Sequence, residues 1–301
     1  MDPSLPAHET PGTRFIFTPV EWYGAVLFLL GLGALGYIFF RYRSWQEVRR
    51  PLHPWSLKWV DFALFIWTAF MVSLLSGAIG LWLARLLAAT PEGESPPMGL
   101  FAIVSGLCMH GGFIAVFTLW HRAHRGLRSG PVDTRPLAPL VIVGRALLFL
   151  LAAYPLLALV TGAWEALLRA LGEAGLPVAV KPQDAVGIFA DYRSEPLSFL
   201  ALALVAVVLA PIAEELVFRA GVYRFLLSRF SRRRAILVSS LLFGVLHFSL
   251  FGFLPLALLG VVLCLAYDWT GNIRVPIVLH MLFNLNTVAL VWLFPEIASA
   301  L

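Results

Sequence analysis

PLSFLALALVAVVLAPIAEELVFRAGVYRFLL, residues 196–227, decides the fold. The run exceeds the about 20 apolar residues that cross a bilayer core. Yet it holds Glu214, Glu215 and Arg219 in its interior. An ionisable group at that depth is costly and by default marks a functional site. Adjacent helical residues point about 100° apart, so Glu214 and Glu215 serve different neighbours. Glu215 and Arg219 are four apart, share a face and neutralise each other. The structural alternative is one buried salt-bridge network of all three charges that fixes helix packing. Pro211 cannot donate to the helix ladder, so it kinks or opens the helix just before Glu214 and makes room for water.

The rest of the chain agrees. Its 301 residues are 60% hydrophobic and only 13% charged, with a mean hydropathy of +0.85. A soluble domain is nearer about 25% charged. The expectation is an all-α polytopic membrane protein with about eight transmembrane helices around an intramembrane polar cavity. The spans are placed at Trp22–Phe40, Phe62–Ala84, Met98–Trp120, Leu140–Ala163, Pro196–Leu227, Ala235–Leu250, Phe253–Trp269 and Val275–Phe294. Residues 1–21 form an extramembrane N-terminal segment without a secretory signal pattern. Residues 22–195 hold helices one to four and a long non-cytoplasmic loop, in which Trp164–Leu171 reads as a short interfacial helix. Residues 196–294 hold helices five to eight, and 295–301 are a short tail. Trp22, Trp45, Trp55, Trp59, Trp164 and Trp269 sit at the predicted boundaries, as an aromatic belt would.

The net charge of +5 is gathered in loops. Arg41, Arg43, Arg49, Arg50 and Lys58 form one group, and Arg229, Arg232, Arg233 and Arg234 another. Arg122, Arg125, Arg128 and Arg135 lie in a third loop. Such groups fix topology or touch anionic lipid, and they do not make a nucleic-acid surface. Their alternation puts both termini outside the cytoplasm. The Ala/Leu/Arg/Pro-rich composition points to a bacterial inner membrane. Cys108 and Cys264 both fall inside apolar spans and read as buried hydrophobes.

Two more polar clusters follow the first. Phe243 and His247 share a face of the sixth span, and His280 and Asn284 share a face of the eighth. Each alone reads as packing or an interhelical hydrogen bond. Together they suggest one wet pocket. A carboxylate and an imidazole can hold and deprotonate a water. An amide and a second imidazole can donate to a developing oxyanion. Glu214, His247 and His280 also offer ligands for Zn²⁺, although the HExxH spacing is absent. No GxSxG motif supports a serine nucleophile. His110, in the third span beside Gly111 and Gly112, is a candidate supporting group.

Glu214-Glu215-Leu-Val-Phe-Arg219, Phe243-Gly-Val-Leu-His247 and His280-Met-Leu-Phe-Asn284, in this order, resemble the CAAX protease and bacteriocin-processing (CPBP, Abi) family of intramembrane endopeptidases. Thr270-Gly271-Asn272-Ile273 is similar to the family's approach to its last motif. The resemblance covers about residues 196–294. It implies a water nucleophile activated by Glu214 and His247, with His280 and Asn284 as the oxyanion site. Glu215, Arg219 and Phe243 would support the site structurally. No cofactor is required on that basis, and a divalent metal such as Zn²⁺ stays open. The implied substrate is a membrane-associated, lipidated or hydrophobic protein, cut on the cytoplasmic side. Two other classes compete: a polytopic transporter, and a non-catalytic scaffold or immunity protein. A transporter would favour an inverted repeat with paired broken helices, and the sequence shows one break, at Pro211.

Overall fold

In a computed structural model, the described residues are 18–48, 51–91, 93–124, 130–178 and 184–294. Residues 1–17, the tail 295–301, and Arg49, Arg50, Arg125 and Arg128 lie outside them. In chain order the helices are α1 (Pro19–Val48), α2 (Trp59–Leu87), α3 (Met98–Ala123), α4 (Pro139–Glu173), α5 (Asp184–Asp191), α6 (Pro196–Leu227), α7 (Arg232–Val245), α8 (Leu250–Thr270) and α9 (Arg274–Leu293). There is no β-strand among the described residues. The protein is all-α, polytopic and membrane-integral.

Among the described residues seven helices, rather than eight, are long and apolar enough to cross a membrane. The exception is the sixth predicted span. α7 has 14 residues, which rise about 21 Å against a hydrocarbon core of about 30 Å. It stops because Phe248 takes a left-handed φ of 50°, a conformation that a bulky residue adopts only at a break. Ser249 then caps α8 by accepting a hydrogen bond from Gly252 N at 3.0 Å. α7 and α8 thus form a helical hairpin. Gly244 and Gly260 let its arms close. A Cβ on Gly244 would stand 2.7 Å from Phe253 O, and one on Gly260 would stand 3.0 Å from Ser240 Cα.

Three further expectations change. Trp164–Leu171 is no separate interfacial helix, because α4 runs unbroken to Glu173 and Trp164 Nε1 donates to Leu250 O at 2.9 Å. Part of the segment read as a loop forms α5. Trp55 is no belt residue. It is fully buried, edge-on to Phe65 at 5.1 Å and Phe117 at 6.0 Å. The cause is the preceding loop folding onto the end of α6. There Arg224 donates from Nε to His53 O at 2.6 Å and from Nη2 to Gly130 O at 2.8 Å, and Trp55 N donates to Arg224 O at 3.0 Å.

α6 is the central element. α3, α7, α8 and α9 all pack on it, while α2 lies against α3, and α1 against α4. The largest apolar cluster runs from Trp55 and Phe65 through Phe149, Phe218 and Phe225 to Leu263 and Leu279. The α8–α9 turn is pinned from outside. Gly271, at φ 64°, accepts from Thr134 N at 2.8 Å, and Ile273 N donates to Asp133 Oδ1 at 2.7 Å. This turn sets where α9, and hence His280, stands.

Candidate active site

The break read at Pro211 is a change of helix type. Val205–Leu209 and Leu216–Tyr223 are π-helical, a geometry that recurs at functional sites. Ala210 N reaches back five residues to Val205 O. In that pattern Ala206 O would accept from residue 211, but proline has no N–H. The amide of Asn284 fills the gap, with Nδ2 donating to Ala206 O at 2.8 Å. The proline therefore leaves a carbonyl free, and α9 docks on it.

Glu215 and Arg219 form the predicted pair. Both side chains are fully buried, with Arg219 Nη1 3.0 Å from Glu215 Oε1, although not aligned for a hydrogen bond. Glu215 Oε1 also accepts from His280 Nδ1 at 3.0 Å. The Arg219 guanidinium lies over the Phe243 ring, with Cζ 4.3 Å from its centroid. Phe243 meets His247 at 4.6 Å and His280 at 5.8 Å, both edge-on. One aromatic ring thus braces both motif histidines and the buried cation.

Glu214 faces the other way, as its 100° offset requires. Its Oε2 is buried without a hydrogen-bond partner, 3.9 Å from His247 Nε2 and 3.9 Å from His280 Nε2. Its Oε1 is 3.8 Å from His110 Nε2. These separations are too long for direct hydrogen bonds. Two acceptors that share one water, each about 2.8 Å from its oxygen, sit about 4.5 Å apart at a tetrahedral angle and about 4 Å apart when that angle closes to about 90°. His247 Nδ1 lies 2.6 Å from Phe243 O. A carbonyl only accepts, so Nδ1 carries the hydrogen and a neutral ring presents its Nε2 lone pair toward Glu214.

The structure brings Glu214, His247 and His280 to one point, with Phe243, Glu215 and Arg219 directly behind. Asn284 sits one turn along α9 from His280, bonded to Ala206. A primary amide has two N–H donors, so one is left. The residue underweighted in the sequence is His110. Its only signal is an ionisable group within an apolar span, because helical periodicity says nothing about a partner on another helix. A tetrahedral zinc ion holds its nitrogen and oxygen donors about 3.3 Å apart. The 3.9 Å separations here exceed that. Among the described residues no group of three or more His, Cys, Asp and Glu side chains is disposed to hold a metal ion. The donors as placed do not fit zinc.

An all-helical membrane protein with a buried carboxylate ringed by imidazoles is the class that fold and site define. Residues 196–286 match the family model of type II CAAX prenyl endopeptidase Rce1-like proteins. The membrane-embedded CAAX protease MroQ of Staphylococcus aureus (strain USA300) is 38% identical over 96 residues, which cover 30% of this chain and 38% of that protein. No solved structure matches the chain. Both matches are to CAAX proteases, and the family model spans the segment that carries the three motifs.

Proposed function

We propose that the protein is an intramembrane endopeptidase whose nucleophile is a water activated by Glu214 and His247. The observation that carries this is the Glu214 carboxylate oxygen, buried and unpartnered between two imidazole nitrogens at 3.9 Å. A water there donates one hydrogen to His247 Nε2 and one to Glu214 Oε2, and turns a lone pair outward. Glu214 takes a proton as the water oxygen bonds the scissile carbonyl carbon, and returns it to the leaving amine as the C–N bond breaks. His280 Nε2–H and the free N–H of Asn284 donate to the oxyanion. With Nδ1–H already given to Glu215, that role means the His280 ring carries both protons. Its charge and that of Arg219 then balance Glu214 and Glu215, which suits a low-dielectric interior.

The substrate on this proposal is a membrane-associated or lipidated protein with an apolar segment near the cleaved bond. The Arg/Lys-rich loops favour a site that opens to the cytoplasm, and the Ala/Leu/Arg/Pro-rich composition favours a bacterial inner membrane. The test compares protein termini in membranes from cells that carry wild type, Glu214→Ala or His247→Ala. Cleaved ends that vanish in both variants are expected. Unchanged termini with altered ion flux would identify a transporter instead.

A further inference from the structure

His110 lies on α3, outside residues 196–286 that match the family model. It is buried, at 7% exposed. Its Nδ1 lies 2.8 Å from Gly106 O, one turn back on the same helix, so Nδ1 carries a hydrogen and the ring is held in one orientation. Gly106 also stands close against the first π-helical stretch. A Cβ there would stand 2.8 Å from Val205 Cγ1. The close approach brings His110 Nε2 to 3.8 Å from Glu214 Oε1, the carboxylate oxygen turned away from His247 and His280.

We infer that His110 is a positioning residue for Glu214. It holds Oε1 from the α3 side, so that Oε2 stays aimed between His247 and His280. The inference rests on the hydrolysis proposed above. With Nδ1–H given to Gly106, a neutral His110 turns an Nε2 lone pair toward Oε1, and one water that donates a hydrogen to each spans the 3.8 Å without adding charge to the site. Without that hold the carboxylate turns about its terminal torsion, which is broad and soft. A base misplaced by about 1 Å loses on the order of 100-fold in rate. Plain packing of His110 makes the opposite demand, since an apolar side chain of similar size fills the same space in a membrane interior.

The test uses the full-length chain in proteoliposomes. The probe is a quenched fluorescent peptide that spans a Glu214-dependent cleavage site found by the comparison of termini. For His110→Leu, kcat is expected to fall about 30-fold or more with KM within about twofold. For His110→Gln, whose amide can donate to Oε1 or bond the same water, kcat is expected within about fivefold of wild type. A Leu variant with wild-type kcat overturns the inference. So do Leu and Gln variants that are equally impaired at unchanged thermal stability, since that would make the imidazole itself the reacting acid or base. If the Leu variant fails to fold, the Gln variant decides alone: near-wild-type kcat supports the inference, and a loss beyond about 30-fold overturns it. Cleavage abolished by Glu214→Ala but untouched by His110→Leu removes the positioning role alone. Absence of any Glu214-dependent cleavage removes the hydrolysis and, with it, this role.

Discussion

Glu215→Gln is expected to destabilise the protein far more than Glu214→Gln, although the two glutamates are neighbours. Glu215 Oε1 meets both Arg219 Nη1 and His280 Nδ1 at 3.0 Å, and the Glu215 and Arg219 side chains are fully buried. Stranding one partner of a buried pair costs about 3–5 kcal/mol. The glutamine carbonyl still accepts one hydrogen bond, worth about 1 kcal/mol, and the Phe243 face under Arg219 is unchanged. The net loss is therefore about 2–4 kcal/mol, or roughly 5–12 °C in Tm. Glu214 has no charged partner nearer than 3.8 Å, and its side chain is 18% exposed, so its neutralisation costs about 0–1 kcal/mol. The assay is thermal unfolding in detergent, followed by intrinsic tryptophan fluorescence. Adding Arg219→Met to Glu215→Gln should recover most of the loss, because a neutral apolar pair replaces a stranded charge. Equal Tm values for the two single variants, or no recovery in the double, would refute the reasoning.

Three other outcomes are expected. Phe243→Leu removes the ring that contacts His247, His280 and Arg219. It should cost about 1–3 kcal/mol and lower kcat more than it raises KM, measured by Tm and steady-state kinetics. Dialysis against a strong chelator should leave proteolysis within about twofold of the untreated protein, because the donors lie too far apart for tetrahedral zinc; a loss restored by adding back zinc would contradict it. Gly271→Ala should lower Tm. Its φ of 64° is left-handed and the new methyl would meet Thr134 Oγ1, for about 1–2 kcal/mol from the backbone alone.

The sequence made local relations legible. Spacing of four gave the Glu215–Arg219 pair and the contact of Phe243 with His247, and the 100° offset gave the separate direction of Glu214. Apolar length located the membrane helices, except where two runs meet at Phe248 and the length of α7 alone was ambiguous. What stayed hidden lies between helices or in backbone that departs from α geometry. No periodicity shows that His110 of α3 reaches Glu214 of α6. Trp55 looked like an interface residue because tryptophan favours such sites; its burial depends on hydrogen bonds between Arg224 and loops far away in sequence. The acceptor for Asn284 depends on a π turn and a proline acting together, and only Pro211 was visible.

The two π-helical stretches of α6 act as phase shifters. Each wide turn holds an extra residue compared with an α-turn, and one residue corresponds to about 100° of azimuth. Deleting a single residue within Val205–Leu209 would swing Pro196–Leu204 around the axis while Glu214, Glu215 and Arg219 kept their heading. The lower stretch of this helix can therefore be re-indexed against its neighbours without re-aiming the carboxylates. A deletion near Val205 would also return the Ala206 carbonyl to the helix ladder and withdraw the acceptor that seats Asn284, so the grip of this segment and the docking of α9 are tied to one wide turn.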